Sequence, residues 1–153
     1  LSGTLTKPQA EVVAQLLVNA SLGSVIEAVA INQEDWPVYV LTHGSDIDKL
    51  ICVFNTSGKL EGSMQRSGEV QEMFGVQIKV RDITIPSGYA KASAIAFALD
   101  SYYSLSSVAV EDNEFVVYAL NRTSPILFIG FEQPENVLPV FTINYTVSIR
   151  QIT

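Results

Sequence analysis

A chain of 153 residues that is 48% hydrophobic and 16% charged has the apolar surface for one core, which excludes intrinsic disorder and a second domain of ordinary size. Nine Lys and Arg against sixteen Asp and Glu leave a net charge of −7, which excludes affinity built mainly on a nucleic-acid phosphate backbone. The single cysteine, Cys52, excludes an intramolecular disulfide, and its apolar neighbours Ile51 and Val53 mark it as a buried small hydrophobe.

Thr6-Lys7-Pro8-Gln9 has the form of a capping box, and Val12, Val13, Leu16, Leu17 and Ala20 recur at helical spacing, so a helix is expected over residues 7–21, with Gly23 as its stop. A connector, Ser24 to Asp35, leads to two β-rich runs, Val38–Leu41 and Leu50–Phe54. These are expected to pair across the turn-rich His43-Gly44-Ser45-Asp46. From Asn55 to Gly75 the chain is polar and carries Gly58, Gly62, Gly68 and Gly75 at intervals, which reads as a long flexible loop. Val76-Gln77-Ile78-Lys79-Val80-Arg81 alternates strictly and predicts a half-buried strand, its polar positions on an exposed face.

Pro86 and Ser87 open a second helix whose stripe of Tyr89, Ala92, Ile95, Ala96 and Leu99 is expected to be buried. The last third reads as strands: Ser107–Val110 and Phe115–Leu120 about the turn Glu111-Asp112-Asn113, then Ile126–Phe131 after Pro125, connected as a meander. Phe141, Ile143, Tyr145, Val147 and Ile149 alternate with polar residues in one long strand that closes the domain, Phe141 and Tyr145 being packing residues. Without regular strand–helix alternation, the expected fold is a single α+β domain over 1–153, a mostly antiparallel sheet with two helices packed on one face and a long flexible loop or hairpin.

Catalytic patterns are sparse. His43 is the one histidine, there is no G-x-S-x-G elbow, and neither P-loop nor dinucleotide glycine pattern occurs, so no catalytic residue, metal or cofactor is expected. The cluster His43, Asp46 and Asp48 has too few ligands for calcium or zinc and reads as a solvated turn. Lys79 and Arg81, alternating with Gln77, suit either an acidic partner or simply an exposed sheet face. Asn-x-Ser/Thr triplets at Asn19, Asn55, Asn121 and Asn144 read as coincidence, because no run reaches the ~18–20 apolar residues of a membrane span and the first residues lack the pattern of a signal peptide. A cytoplasmic origin is expected.

Four segments, Trp36-Pro37-Val38-Tyr39, Ile51-Cys52-Val53-Phe54-Asn55-Thr56-Ser57-Gly58, Gly75-Val76-Gln77-Ile78-Lys79-Val80-Arg81 and the helix bearing Tyr89, Ala92, Ile95 and Leu99, together cover about the middle half of the chain. In type and order they resemble the tail terminator, or tail completion, proteins of long-tailed bacteriophages, also labelled phage minor capsid proteins. Asn55 stands where similar sequences commonly have aspartate. The resemblance implies a non-enzymatic virion protein, assembled in the bacterial cytoplasm, that forms a ring, usually a hexamer, on the head-proximal end of the tail tube. Its partners would be copies of itself, the tail tube protein and the head connector; DNA would pass through without specific binding, and no membrane is involved. A head-closure or head–tail adaptor protein is the alternative, and a small cytosolic ligand-binding domain or enzyme a distant one. On this reading Lys59, Met64, Arg66, Met73, Phe74, Lys79 and Arg81 are candidates for the subunit or tube interface, with the loop over residues 55–75 either ordered against a neighbour or a disordered excursion.

Overall fold

The computed structural model of the chain describes residues 5–19, 24–25, 36–42, 48–63, 70–100, 106–132 and 137–152. Among these are two helices, α1 (Gln9–Asn19) and α2 (Ile85–Asp100), and eight strands: β1 (Ser24–Val25), β2 (Pro37–Val40), β3 (Leu50–Ser63), β4 (Val70–Arg81), β5 (Ser106–Val110), β6 (Asn113–Arg122), β7 (Leu127–Glu132) and β8 (Leu138–Gln151). They form one sheet ordered β1-β2-β3-β4-β8-β6-β5, with β7 also on β8. The fold is α+β with a mostly antiparallel sheet, as the sequence led us to expect.

The long strand β8 is the spine of the sheet rather than its closing edge. One side pairs with β4 from Val140 to Ser148. The other side pairs with β7 at Leu138–Thr142 and with β6 at Tyr145–Gln151, both antiparallel. Strands β6 and β7 therefore lie end to end along β8 instead of forming the expected meander. Pro125 lacks an N–H for the ladder, which breaks the strand there. Thr123 N–H still donates to the Asn144 carbonyl, and the Ser124 hydroxyl takes up Asn144 N–H, so the break costs no buried hydrogen bond.

Every second residue of the central strands faces the helices. Ile51 and Val53 of β3, Val76, Ile78 and Val80 of β4, and Phe141, Ile143, Tyr145 and Val147 of β8 are buried in register with one another. Against them α1 buries Val12, Val13, Leu16 and Leu17, and α2 buries Ala92, Ile95, Ala96 and Leu99, in a single cluster. Tyr89 departs from the expected stripe. It is 51% exposed and offers only its ring edge to Phe141, because the core position on that turn belongs to Gly88, which lets the helix backbone rest on the Phe141 ring. Cys52 is buried and takes part in no disulfide, as expected.

Two connections differ from expectation. The strands β2 and β3 do pair, but in parallel, Val38 opposite Ile51 and Val40 opposite Val53, so the chain between them returns to the same end of the sheet instead of turning a hairpin. The predicted capping box also fails. The Thr6 N–H and hydroxyl both engage the Gln151 side chain, at 2.8 and 2.7 Å, tying the start of the described chain to β8. Helix α1 starts after Pro8, and its orphan Ala10 N–H is accepted at 3.0 Å by Asn55 Oδ1 from β3. An Asn55→Ala variant is expected to lose about 1 kcal/mol, and Asn55→Asp, which keeps the acceptor and adds a charge favoured at a helix N-terminus, to retain full stability in urea unfolding. Equal losses in the two variants would show that Asn55 acts through β3 and not as a cap.

Candidate assembly interface

The segment expected to be a flexible loop is largely strand. β3 continues to Ser63 and β4 begins at Val70, with Thr56 opposite Gly75, Lys59 opposite Met73 and Ser63 opposite Val70. Register shifts fall between Thr56 and Lys59 and between Leu60 and Ser63, intervals that contain Gly58 and Gly62, the residue type that takes a bulge most readily. Beyond Met73, β4 pairs with β3 alone, so the pair leaves the sheet as a two-stranded ribbon. Its polar sequence looked like a loop because a ribbon away from the core satisfies its backbone without a hydrophobic face. Of the sequence candidates, Lys59 lies on this ribbon, Met64 and Arg66 lie outside the described residues, and Met73 sits half-buried where the ribbon leaves the sheet.

Three other candidates are drawn inward. Phe74 belongs to the core, with 8% of its surface exposed, because its position in β4 puts it on the helix-facing side with Val76 and Ile78. Lys79 and Arg81 point to the opposite side of β4, but not into open solvent. The Glu132 carboxylate at the end of β7 reaches across β8 and binds both, the Lys79 ammonium through one oxygen and Arg81 Nη1 at 3.1 Å through the other. Arg81 Nε also points to the Asp48 carbonyl at 3.4 Å. The Arg81 side chain is 3% exposed and that of Lys79 12%, so Phe74 and Arg81 are structural residues and not contacts on offer to a partner. The strand pattern was right about the face; what it lacked was an acid arriving from 51 residues away.

A different surface stands open. Strand β7 gives one edge to β8, and its other edge pairs with nothing among the described residues. Leu127, Phe128, Ile129 and Phe131 are each 41–58% exposed, and Gly130, at φ 121°, carries the bulge that displaces Ile129. Phe128 packs on Phe131 and on Phe141 at 5.4 and 5.5 Å between ring centroids, so the exposed aromatics are anchored in the core rather than loose. A strand edge flanked by apolar side chains, with its one charge, Glu132, committed to Lys79 and Arg81, is a template for another strand or apolar surface. The sequence does carry a signal for this: Ile126-Leu127-Phe128-Ile129 is apolar at consecutive positions, where a half-buried strand alternates.

Of the cluster considered for a metal, residues 43–47 lie outside the described residues and Asp48 is exposed. Among the described residues no group of three or more His, Cys, Asp or Glu is placed to hold a metal ion, and no helix is long and apolar enough to cross a membrane. The phenol of Tyr145 is pushed far above the ordinary tyrosine range by burial, with Asp100 beside it adding to the rise; its O–H points to Asp100 at 3.4 Å and titrates at no physiological pH. Asp100 is also held by Arg122 at 3.2 Å, a tie between α2 and β6 that is structural. No protein-family model and no curated protein sequence matches this chain.

Proposed function

We propose that the chain is a structural virion protein, a bacteriophage tail terminator that assembles as a ring capping the head-proximal end of a tail tube, ending its growth and presenting a surface to the head connector. Six copies are what the sequence resemblance implies. The observation that supports assembly is the open apolar edge of β7, whose exposed Leu127, Phe128, Ile129 and Phe131 suit contact with a second copy better than contact with water. The ribbon of β3 and β4, paired only with itself beyond Met73 among the described residues, is a second surface available for such a contact. The chain's net charge of −7 agrees with a channel that DNA traverses without adhering.

Light scattering over a range of protein concentrations, with negative-stain images and added tail tube, tests this reading. Rings, alone or on tube ends, are the expected result, and a strict monomer that neither forms rings nor binds tubes overturns it. In the same assay Ile129→Lys, at a position 58% exposed, is expected to abolish the ring while changing stability by no more than about 0.5 kcal/mol. A variant that assembles like the parent chain would remove β7 from the interface.

A further inference from the structure

Trp36, just before β2, packs partly against the core and lies beneath two ammonium groups, Lys49 Nζ at 5.5 Å and Lys91 Nζ at 5.0 Å from its ring centroid. Lys49 precedes β3 and Lys91 is in the second turn of α2, so three separate parts of the chain converge there. Each cation gains from the indole face. Their proximity is nevertheless costly, because both are half-buried and like-charged, and no carboxylate among the described residues pairs with either. Burial, and next the charge of Lys49, hold the Lys91 ammonium below the ordinary lysine value. Two half-buried cations close to one indole ring, in a chain with sixteen acids and nine bases, form a local inversion of the overall charge.

We propose that Trp36, Lys49 and Lys91 form an anion-binding site whose ligand is a carboxylate side chain of a second copy of this chain. This rests on the ring reading above and names one of its contacts. Charge complementarity selects the occupant: copies carrying −7 each repel one another overall, so a stable contact between them calls for a cationic spot, and their surfaces are rich in the carboxylates that fit it. Placement agrees. Trp36 and Lys49 precede parallel strands, and β7 pairs with the first residues of β8, so the cationic site and the apolar edge lie at the same end of the sheet, on opposite sides of β4 and β8. Two different surfaces on one subunit are what a head-to-tail contact requires, and such contacts close into rings when their rotation allows.

The test uses the whole chain. Trp36 is the one tryptophan, so its emission reports on this site directly as the protein associates. The tryptophan emission is expected to change in step with assembly by light scattering as the protein concentration is raised. Lys91→Glu and Lys49→Glu are each expected to weaken association by about tenfold or more while leaving the circular dichroism and thermal midpoint of the subunit unchanged, and Lys91→Arg to preserve it. Rings formed by the parent chain and by both glutamate variants alike would overturn this site but leave the ring reading standing. A parent chain that is monomeric throughout would overturn both. Binding of duplex DNA that is lost in Lys49→Glu and Lys91→Glu would assign the site to phosphate instead and equally overturn the proposal.

Discussion

Glu132→Gln is expected to lower the unfolding free energy by about 2–3 kcal/mol, the largest loss from any single polar change in the sheet. The carboxylate is shared by Lys79 and Arg81, whose side chains are 12% and 3% exposed, and removing it leaves two buried cations with one counter-charge fewer. Breaking a fully buried pair costs about 3–5 kcal/mol; the Glu132 side chain keeps 32% of its surface in water, which screens part of that and sets the lower figure. Replacing all three residues by apolar side chains of similar volume, Lys79→Met, Arg81→Met and Glu132→Leu, is expected to recover most of the loss, since the cost lies in the uncompensated charge and not in lost packing. Urea unfolding at constant slope measures both. A Glu132→Gln chain within about 0.5 kcal/mol of the parent would mean that groups other than Glu132 balance the two cations. Because Glu132 ends β7, the same variant would also loosen the edge proposed for assembly.

Substitution at Gly88 is the second large effect. A Cβ there would sit 2.9 Å from Cε2 and 3.3 Å from Cδ2 of Phe141, and 3.4 Å from Asp82 Cβ. The Phe141 ring has no room to retreat, being 3% exposed and held by Tyr89 and Phe128 at 5.8 and 5.5 Å. Alanine gains up to about 1 kcal/mol of helix propensity over glycine, while overpacking a filled core costs about 1–3 kcal/mol. Gly88→Ala is therefore expected to destabilise by about 1 kcal/mol and Gly88→Val by about 3 kcal/mol. The pair Gly88→Ala with Phe141→Leu should recover part of the first loss through positive coupling in a double-mutant cycle. Stabilisation by Gly88→Ala would show that the helix shifts away from the sheet at little cost and that close approach is not what Gly88 supplies. The neighbouring Asp82, buried and accepting from Ile83 N–H and the Ser87 hydroxyl, holds this first turn in place and makes such a shift costly.

Local patterns in the chain were enough to place both helices, the alternating strand that ends at Arg81, the two-residue turn at Glu111 and Asp112, and the buried face of β8. In each of these the signal is a periodicity of apolar side chains or a turn residue, and it acts within a few residues of itself. What the tertiary structure decided is everything that depends on a partner distant in sequence. Asn55 caps α1 in place of Thr6 because the fold brings β3 against the helix start, while Gln151 occupies Thr6. Arg81 is buried because Glu132 crosses β8 to meet it, and alternation alone cannot tell a solvated polar face from an ion-paired one. The end-to-end placement of β6 and β7 follows from their sharing one side of β8, and the parallel direction of β2 against β3 from the end of the sheet to which the chain between them returns, neither of which any local spacing records. The candidate surfaces divide in the same way: the apolar run of β7 can be read from consecutive residues, but whether it is core or open edge depends on which strands the sheet places beside it, and Trp36, Lys49 and Lys91 become one site only because three separate parts of the chain end at the same place.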